Sequence, residues 1–368
     1  MIHRSIALLL WPFSLVYRFV IWLRNLAYDR QIFSVYRPNL PVFAIGNLSV
    51  GGTGKTPMAE YLLGYLVQNG LRPAYLSRGY GRKTRGYLRV DPSEHTSTQV
   101  GDEALQVARK FPGLPVVVCE NRAVGVQKLL ETDRPDCLLL DDAFQHRRIA
   151  RDLDIVMLDA TRPPWNDRLL PAGLLREPES SLKRAHLAVV NKLTQRTHIP
   201  RWQHKLKLPS AFGRLEPLRL RSFSSDETLP LDCLDQRMVY AFSGLGNNEV
   251  FFNELRRLGA QLYRCYGFRD HHVFSQAEIQ RIVRSFRRLA KVKYLRQPPL
   301  LIATEKDYIR LRSMPWFDVQ FGQFPFYYLE VALQFWEGEA ELQAQLAQHL
   351  PQLAQGTPVH AQQRSTQL

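Results

Sequence analysis

Eight residues constrain this chain more than any others: Ser49-Val50-Gly51-Gly52-Thr53-Gly54-Lys55-Thr56, set between the apolar run Pro41–Ile45 and a stretch of helical period over 56–69. Glycines let the backbone N–H groups of such a turn point inward around phosphate oxygens. Lys55 reaches the outer phosphates, and Thr56, at a helix N-terminus, offers a hydroxyl to Mg²⁺. The pattern GxxxxGK[ST] asks for glycine where Ser49 stands. Correct strand–loop–helix context and an intact Gly-Lys-Thr outweigh that departure, so Ser49 through Thr56 are expected to hold the phosphates of a nucleotide.

A loop of this kind belongs to a parallel sheet with crossover helices, and the chain continues in that rhythm. Apolar runs at Pro73–Leu76, Pro115–Cys119, Cys137–Leu140, Leu153–Leu158 and His186–Val190 alternate with helical periods at 56–69, 101–110 and 121–131. These units predict an α/β, doubly wound, mostly parallel sheet of the P-loop NTPase kind. The 160–184 stretch carries no periodicity, and loops of that length are functional or disordered. Around 208–236 prolines and a Ser/Asp/Thr cluster mark a boundary, after which a smaller α/β unit is read: strands 238–242, 260–266 and 300–303, helices 248–258 and 275–293, and a closing strand over 324–335. With 368 residues, two or three domains are expected. The division predicted is an N-terminal amphipathic helix (1–30), a P-loop core (31–220), a smaller α/β domain (221–340) and a flexible tail (341–368).

The 49 Lys and Arg against 34 Asp and Glu leave a net charge of +15, which speaks of anionic partners rather than of fold. No recognisable nucleic-acid module accompanies it. Cys119, Cys137, Cys233 and Cys265 are scattered, without the spacing of a zinc site or a disulfide framework. Residues 5–23 are apolar and aromatic, but Pro12 and Arg18 interrupt them, so no uncharged run long enough for a clean span exists. Arg4, Arg18, Arg24, Arg30 and Arg37 interleave with Trp11, Tyr17, Trp22 and Tyr28. That pattern suits a helix lying in an anionic headgroup plane; a true span and a helix packed on the protein are the alternatives.

A P-loop needs an acidic partner for its metal. The strand Cys137–Leu140 ends in Asp141-Asp142, one carboxylate for Mg²⁺ and one for a water or an acceptor, followed by His146 within reach of the same crevice. Asp102 and Glu103 open a predicted helix, where an aspartate is ordinarily an N-cap held ionised by the helix dipole. Phosphoryl transfer tolerates so weak a base when a histidine shares the proton, and Asp270-His271-His272 supplies a candidate. Arg78 and Arg122 follow strands and so lie at the carboxyl edge of the sheet, where α/β ligands bind; Arg176 and Glu177 stand in the long loop. Asn191-Lys192-Leu193-Thr194 and Thr304-Glu305-Lys306-Asp307 mimic guanine readers imperfectly and do not support guanine specificity.

Taken together, GNLSVGGTGKTP (46–57), SRGYGRK (77–83), GDEA (101–104), ENRAVG (120–125), DDAFQH (141–146), LPAGLLREP (170–178), FSGLGNN (242–248), FRDHH (268–272) and TEKD (304–307) resemble the tetraacyldisaccharide 4′-kinases of lipid A biosynthesis, in family order. The resemblance implies ATP- and Mg²⁺-dependent phosphorylation of the 4′-hydroxyl of tetraacyldisaccharide 1-phosphate, giving lipid IV(A). It places the enzyme at the cytoplasmic face of the bacterial inner membrane, peripheral or monotopic, with no nucleic acid and no obligate protein partner. It also implies two domains joined by a two-stranded linker. By the same resemblance Lys55 and Thr56 serve phosphate and metal, and Asp102 accepts the hydroxyl proton with His271 as its dyad partner. Glu103, Asp141, Asp142 and His146 occupy metal and catalytic positions; Arg122, Arg176 and Glu177 lie on the acceptor side. The rival reading is a membrane-docked regulatory ATPase of the deviant Walker type, whose signature lysine is replaced here by Val50.

Overall fold

The computed structural model describes residues 4–193, 199–291, 297–321, 324–351 and 353. A long helix α1 (Arg4–Asp29) precedes β1 (Val42–Asn47), all six residues of which are buried. Alternation along β1 serves two faces of one sheet: Phe43 and Ile45 pack with Met58, Leu62 and Leu66 of α2 (Lys55–Gln68). Val42 and Ala44 pack on the opposite side with Val126 and Leu129. The chain continues through β2 (Pro73–Ser77), the two-residue β3 (Leu88–Arg89), α3 (Ser97–Val100), α4 (Asp102–Lys110), β4 (Val116–Val118), α5 (Arg122–Thr132), β5 (Cys137–Leu140), β6 (Leu153–Asp159) and β7 (Leu187–Asn191). Every strand expected from an apolar run is present, each within two residues of its predicted ends.

β1 lies between β5 and β6, parallel to both, with β2 and β4 beyond β5 and β7 beyond β6. Connections leave β1 toward one side and return on the other, so its carboxyl end opens into the crevice where α/β sheets receive ligands. The second half holds β10 (Met238–Ser243), α6 (Asn248–Arg257), β11 (Gln261–Gly267), α7 (Gln276–Ala290), β12 (Leu300–Thr304), α8 (Glu305–Arg312), α9 (Pro315–Phe321) and β13 (Phe326–Glu337).

The halves share a single sheet through β8 (Ser210–Ser222), which the proline-rich text had concealed. β8 starts parallel to β7, then runs antiparallel to β13, and finally meets the short β9 (Thr228–Leu229). Pro217 is tolerated because it lies past the β7 pairing, beside a bulge of β8 in which Leu218 is the extra residue opposite Glu330 and Val331 of β13. The division expected at 220/221 therefore falls inside a continuous strand.

A further correction concerns the segment from 341, expected to be flexible. Residues Glu339–His349 form α10, and Leu342, Leu346, Leu350 and Leu353 are buried against the core that includes Met58. One apolar residue per helical turn is enough to dock it, helped by the Tyr61 hydroxyl donating to Glu339 at 2.6 Å. The remainder of the expected tail, 354–368, lies outside the described residues.

Candidate active site

The loop after β1 folds as its residues dictate. Gly51 and Gly54 have φ of 110° and 93°, and a Cβ on Gly54 would come within 2.2 Å of Asn191 Nδ2. Two asparagines brace the turn: Asn47 Nδ2 donates to Thr53 Oγ1 at 3.1 Å, and Asn191 Nδ2 donates to the Thr53 carbonyl at 3.2 Å. Asn191, which resembles a base reader in the sequence, thus acts at the phosphate loop; Thr194 of the same motif lies outside the described residues. The 160–184 stretch is ordered along the loop, with Val50 N donating to Leu174 O at 2.8 Å and Arg176 N to Leu48 O at 2.6 Å.

β5 delivers Asp141 and Asp142 beside Lys55. Asp141 is buried, its carboxylate accepting from the Tyr75 hydroxyl at 2.7 Å and from Asp142 N at 2.9 Å. Burial pushes its carboxyl up, against the nearby Lys55. Asp142 meets two cations: Lys55 Nζ stands 3.3 Å away and Arg176 Nη1 donates to both oxygens at 3.0 Å. Burial would raise the Asp142 carboxyl, but these two cations more than offset it and hold it low. Asp142, Lys192 and His271 all have left-handed backbone, with φ of 47°, 64° and 55°, strain of the sort that collects at functional sites.

Asp102 and Glu103 occupy the first turn of α4. Asp102 is not an N-cap as expected: Gly101 caps the helix without a side-chain bond, which frees the carboxylate for partners in the other half. Its Oδ2 faces His271 Nδ1 at 3.1 Å and accepts from Arg310 Nε at 2.8 Å. Burial opposes ionisation, yet these partners keep the Asp102 carboxyl below its usual range, while the same hydrogen bond raises the His271 imidazole. His272 is engaged elsewhere, stacked on Phe268 and facing Glu278 at 3.1 Å. Glu103 accepts from Lys306 Nζ at 3.1 Å. Lys306 and Arg310 were missed as site residues, although a lysine and an arginine one turn apart just after a strand are a readable signal.

Arg122 opens α5, buried, with Nη1 on the Glu120 carbonyl at 3.1 Å and its Nε unpartnered among the described residues. Burial and the neighbouring Arg78, which is exposed, both oppose its charge, and Asp142 and Asp141 support it. His146 is pushed down to about 4 by burial and by the arginines around it, so it is neutral near pH 7, with Nε2 buried and unpaired among the described residues. Glu177 is fully buried and belongs to the scaffold of α1: it accepts from Arg184 at 2.8 Å and Asn25 at 3.2 Å, with Arg24 at 3.8 Å.

α1 meets the core along a narrow stripe formed by Leu10, Ser14, Tyr17, Ile21, Arg24 and Tyr28, and Ser14 Oγ and Tyr17 Oη donate to the carbonyls of Leu169 and Arg176. Leu9, Phe13, Val16, Phe19 and Trp22 face away and are more than half exposed. Among the described residues, no helix is long and apolar enough to cross a membrane. Between α1 and the sheet edge lies a cleft of about 750 Å³, lined by apolar Val20, Leu23 and Phe33 and by polar Arg24, Gln145 and His146.

Mg²⁺ needs few protein ligands, because it is commonly held by one or two carboxylates and the substrate's phosphates. That no cluster of three or more His, Cys, Asp or Glu exists among the described residues is therefore compatible with it. The donor set is all oxygen, and the buried Asp141 carboxylate, raised by burial and by Glu103 and Asp142 nearby, is one that a cation would stabilise.

The family model described as tetraacyldisaccharide-1-P 4′-kinase matches residues 6–351. A tetraacyldisaccharide 4′-kinase of Chlorobium limicola is 39% identical over 351 residues, covering 92% of this chain and 96% of that protein. One from Parabacteroides distasonis is 37% identical over 322 residues, covering 83% and 85%. A crystal structure of LpxK from Aquifex aeolicus in complex with ATP superposes with a TM-score of 0.75 at 31% identity, covering 93% of this chain and 99% of that one.

Proposed function

The chain belongs to the tetraacyldisaccharide-1-P 4′-kinase family, and on that premise we propose how its residues carry the γ-phosphoryl group of ATP to the 4′-hydroxyl of tetraacyldisaccharide 1-phosphate, giving lipid IV(A). The observation that carries the reading is the cleft under α1, whose Gln145 and His146 follow Asp141 and Asp142 in the turn after β5. Its Val20, Leu23 and Phe33 suit acyl chains, and its Arg24, Gln145 and His146 suit a phosphorylated sugar.

Ser49–Thr56 cradle the triphosphate, with Lys55 exchanging its contact to Asp142 for phosphate oxygens. Thr56 and one or two of the carboxylates Asp141, Asp142 and Glu103 would hold Mg²⁺, which when bound neutralises charge on the phosphate oxygens. Asp102, kept ionised, accepts the proton of the 4′-hydroxyl as its oxygen bonds to the γ-phosphorus, and the bond to the β-phosphate oxygen breaks to release ADP. His271 shares that proton. Transfer through a loose transition state depends on position more than on base strength, so a low-lying carboxylate suffices. Arg78, Arg122 and Arg176 orient the acceptor and its 1-phosphate, and neutral His146 offers a hydrogen bond rather than a charge. Glu177 acts on the acceptor only through α1.

The outward apolar face of α1, with its interleaved arginines, docks on the anionic cytoplasmic surface of the inner membrane and brings the cleft to the lipid. The deviant Walker ATPase reading lacks its signature lysine at Val50 and is set aside by the family match. The test is transfer of labelled γ-phosphate from ATP to tetraacyldisaccharide 1-phosphate in mixed micelles, with Asp102→Ala and Lys55→Ala as controls. Lipid labelling abolished by both substitutions is expected; ATP hydrolysis indifferent to the lipid would overturn the reading.

A further inference from the structure

Arg310 is an arginine of the second half, only 3% exposed, whose guanidinium reaches the proton acceptor of the first. It is clamped from behind. Nη1 donates to the Gly244 carbonyl at 2.9 Å and to Asp307 Oδ1 at 3.3 Å. Asp307 is itself fixed, accepting from Gly244 N at 3.1 Å and from Thr304 Oγ1 at 2.6 Å. A Cβ on Gly244 would lie 2.9 Å from Asp307 Oδ1 and 3.2 Å from Arg310 Nη1, so a larger residue there would displace one of them. Asp307 already neutralises Arg310 within its own half, so the bond from Nε to Asp102 is additional to what burial of the arginine requires.

That bond selects an oxygen. Arg310 Nε at 2.8 Å and His271 Nδ1 at 3.1 Å converge on Oδ2 of Asp102, and Arg310 Nη2 stands 3.4 Å from the same imidazole nitrogen. Among the described residues, Oδ1 has no hydrogen-bond partner. Tyr80 packs on the outer side of His271 with ring centroids 5.5 Å apart. One turn before Arg310, Lys306 holds Glu103 at 3.1 Å, so α8 grips both acids at the start of α4.

We propose that Arg310 is a positioning residue for phosphoryl transfer: by occupying Oδ2 of Asp102 together with His271, it turns Oδ1 toward the acceptor hydroxyl and fixes α4 against the second half at the reacting centre. The inference rests on the reading of Asp102 as proton acceptor. A rigid fork clamped to Gly244 and Asp307 can do this, whereas an ammonium on a flexible stem cannot satisfy all three partners at once. Misplacing a reacting group by about 1 Å costs about 100-fold in rate, while ATP, held by the phosphate loop, should bind as before.

The experiment uses the full chain in mixed micelles, with kcat and both KM values for wild type, Arg310→Lys, Arg310→Ala, Asp102→Asn and the Arg310→Lys/Asp102→Asn double variant. Arg310→Lys is expected to lower kcat by about 10- to 100-fold with KM for ATP within about twofold, and to have no further effect in the Asp102→Asn background. Methylguanidinium, but not methylammonium, should restore part of the kcat of Arg310→Ala. If Asp102→Asn turns over like wild type, the acceptor reading itself falls. Inactive Asp102→Asn beside an Arg310→Lys variant of undiminished kcat overturns only the role of Arg310. Should neither Arg310 variant retain ATP binding by thermal shift, the arginine is structural and the proposal is likewise overturned.

Discussion

Replacing Glu177 with alanine should release α1 from the core. The carboxylate is fully buried, with Arg184 at 2.8 Å, Asn25 at 3.2 Å and Arg24 at 3.8 Å, while the Arg184 guanidinium also lies 4.7 Å from the Phe144 ring centroid. Removing one partner of a buried ion pair costs about 3–5 kcal/mol. Arg184 keeps 19% of its side chain exposed, which places the loss near the lower end. At about 2.1 cal/mol/K per residue, a loss of about 3 kcal/mol lowers Tm by about 4 °C if all 368 residues unfold together. Unfolding of the first half alone would double the shift at most. Glu177→Gln keeps the hydrogen-bonding shape and should lose about half as much. Scanning calorimetry in detergent, with limited trypsinolysis at the α1 arginines, reads both effects. An unchanged Tm and cleavage pattern, with a raised KM for lipid, would refute the argument and put Glu177 in contact with the acceptor.

Other consequences are accessible to simpler assays. Asn191→Ala removes the bond to the Thr53 carbonyl; at about 1 kcal/mol for such a bond, ATP affinity should fall about fivefold by titration calorimetry, and an unchanged Kd would exclude Asn191 as a brace of the loop. Burial beside Glu60 and Glu330 holds the Glu305 carboxyl up to about 7. The native state therefore keeps a proton that the unfolded chain loses above about pH 4.5, and stability declines as pH rises from there to about 7. Glu305→Gln should match wild type near pH 5 and exceed it at pH 8 by up to about 3 kcal/mol; equal Tm values at both pH values would contradict the sign. Serine at Leu9, Phe13, Val16 and Phe19, all turned away from the core, should abolish sedimentation with phosphatidylglycerol vesicles while leaving Tm within about 1 °C. Sedimentation that persists would assign docking to another surface.

What was legible in the sequence was local. The phosphate loop, the apolar strand ending in Asp141-Asp142 and the helix-opening Asp102 each carry their signal within a dozen residues, where periodicity and turn chemistry act. The rest was hidden for identifiable reasons. Arg310 and Asp102 stand 208 positions apart, and nothing near either names the other. Arg176 and Glu177 are neighbours in one loop, yet the first reaches Asp142 beside Lys55 and the second is sealed beneath α1; adjacency in the sequence does not tell which way each side chain points. β8 was obscured by Pro217, because a proline argues against a strand unless a register shift absorbs it. α10 was diluted by glutamine and alanine, although Leu342, Leu346 and Leu350 recur one turn apart.

The central claim is that phosphate reaches the 4′-oxygen of the distal glucosamine. Its most direct test is phosphorus–proton correlation NMR of the lipid recovered after reaction with ATP and Mg²⁺. The account predicts one new phosphomonoester resonance correlated to H-4′, absent from the Asp102→Ala reaction. A correlation to another sugar proton, or a diphosphate at the 1-position, would contradict it.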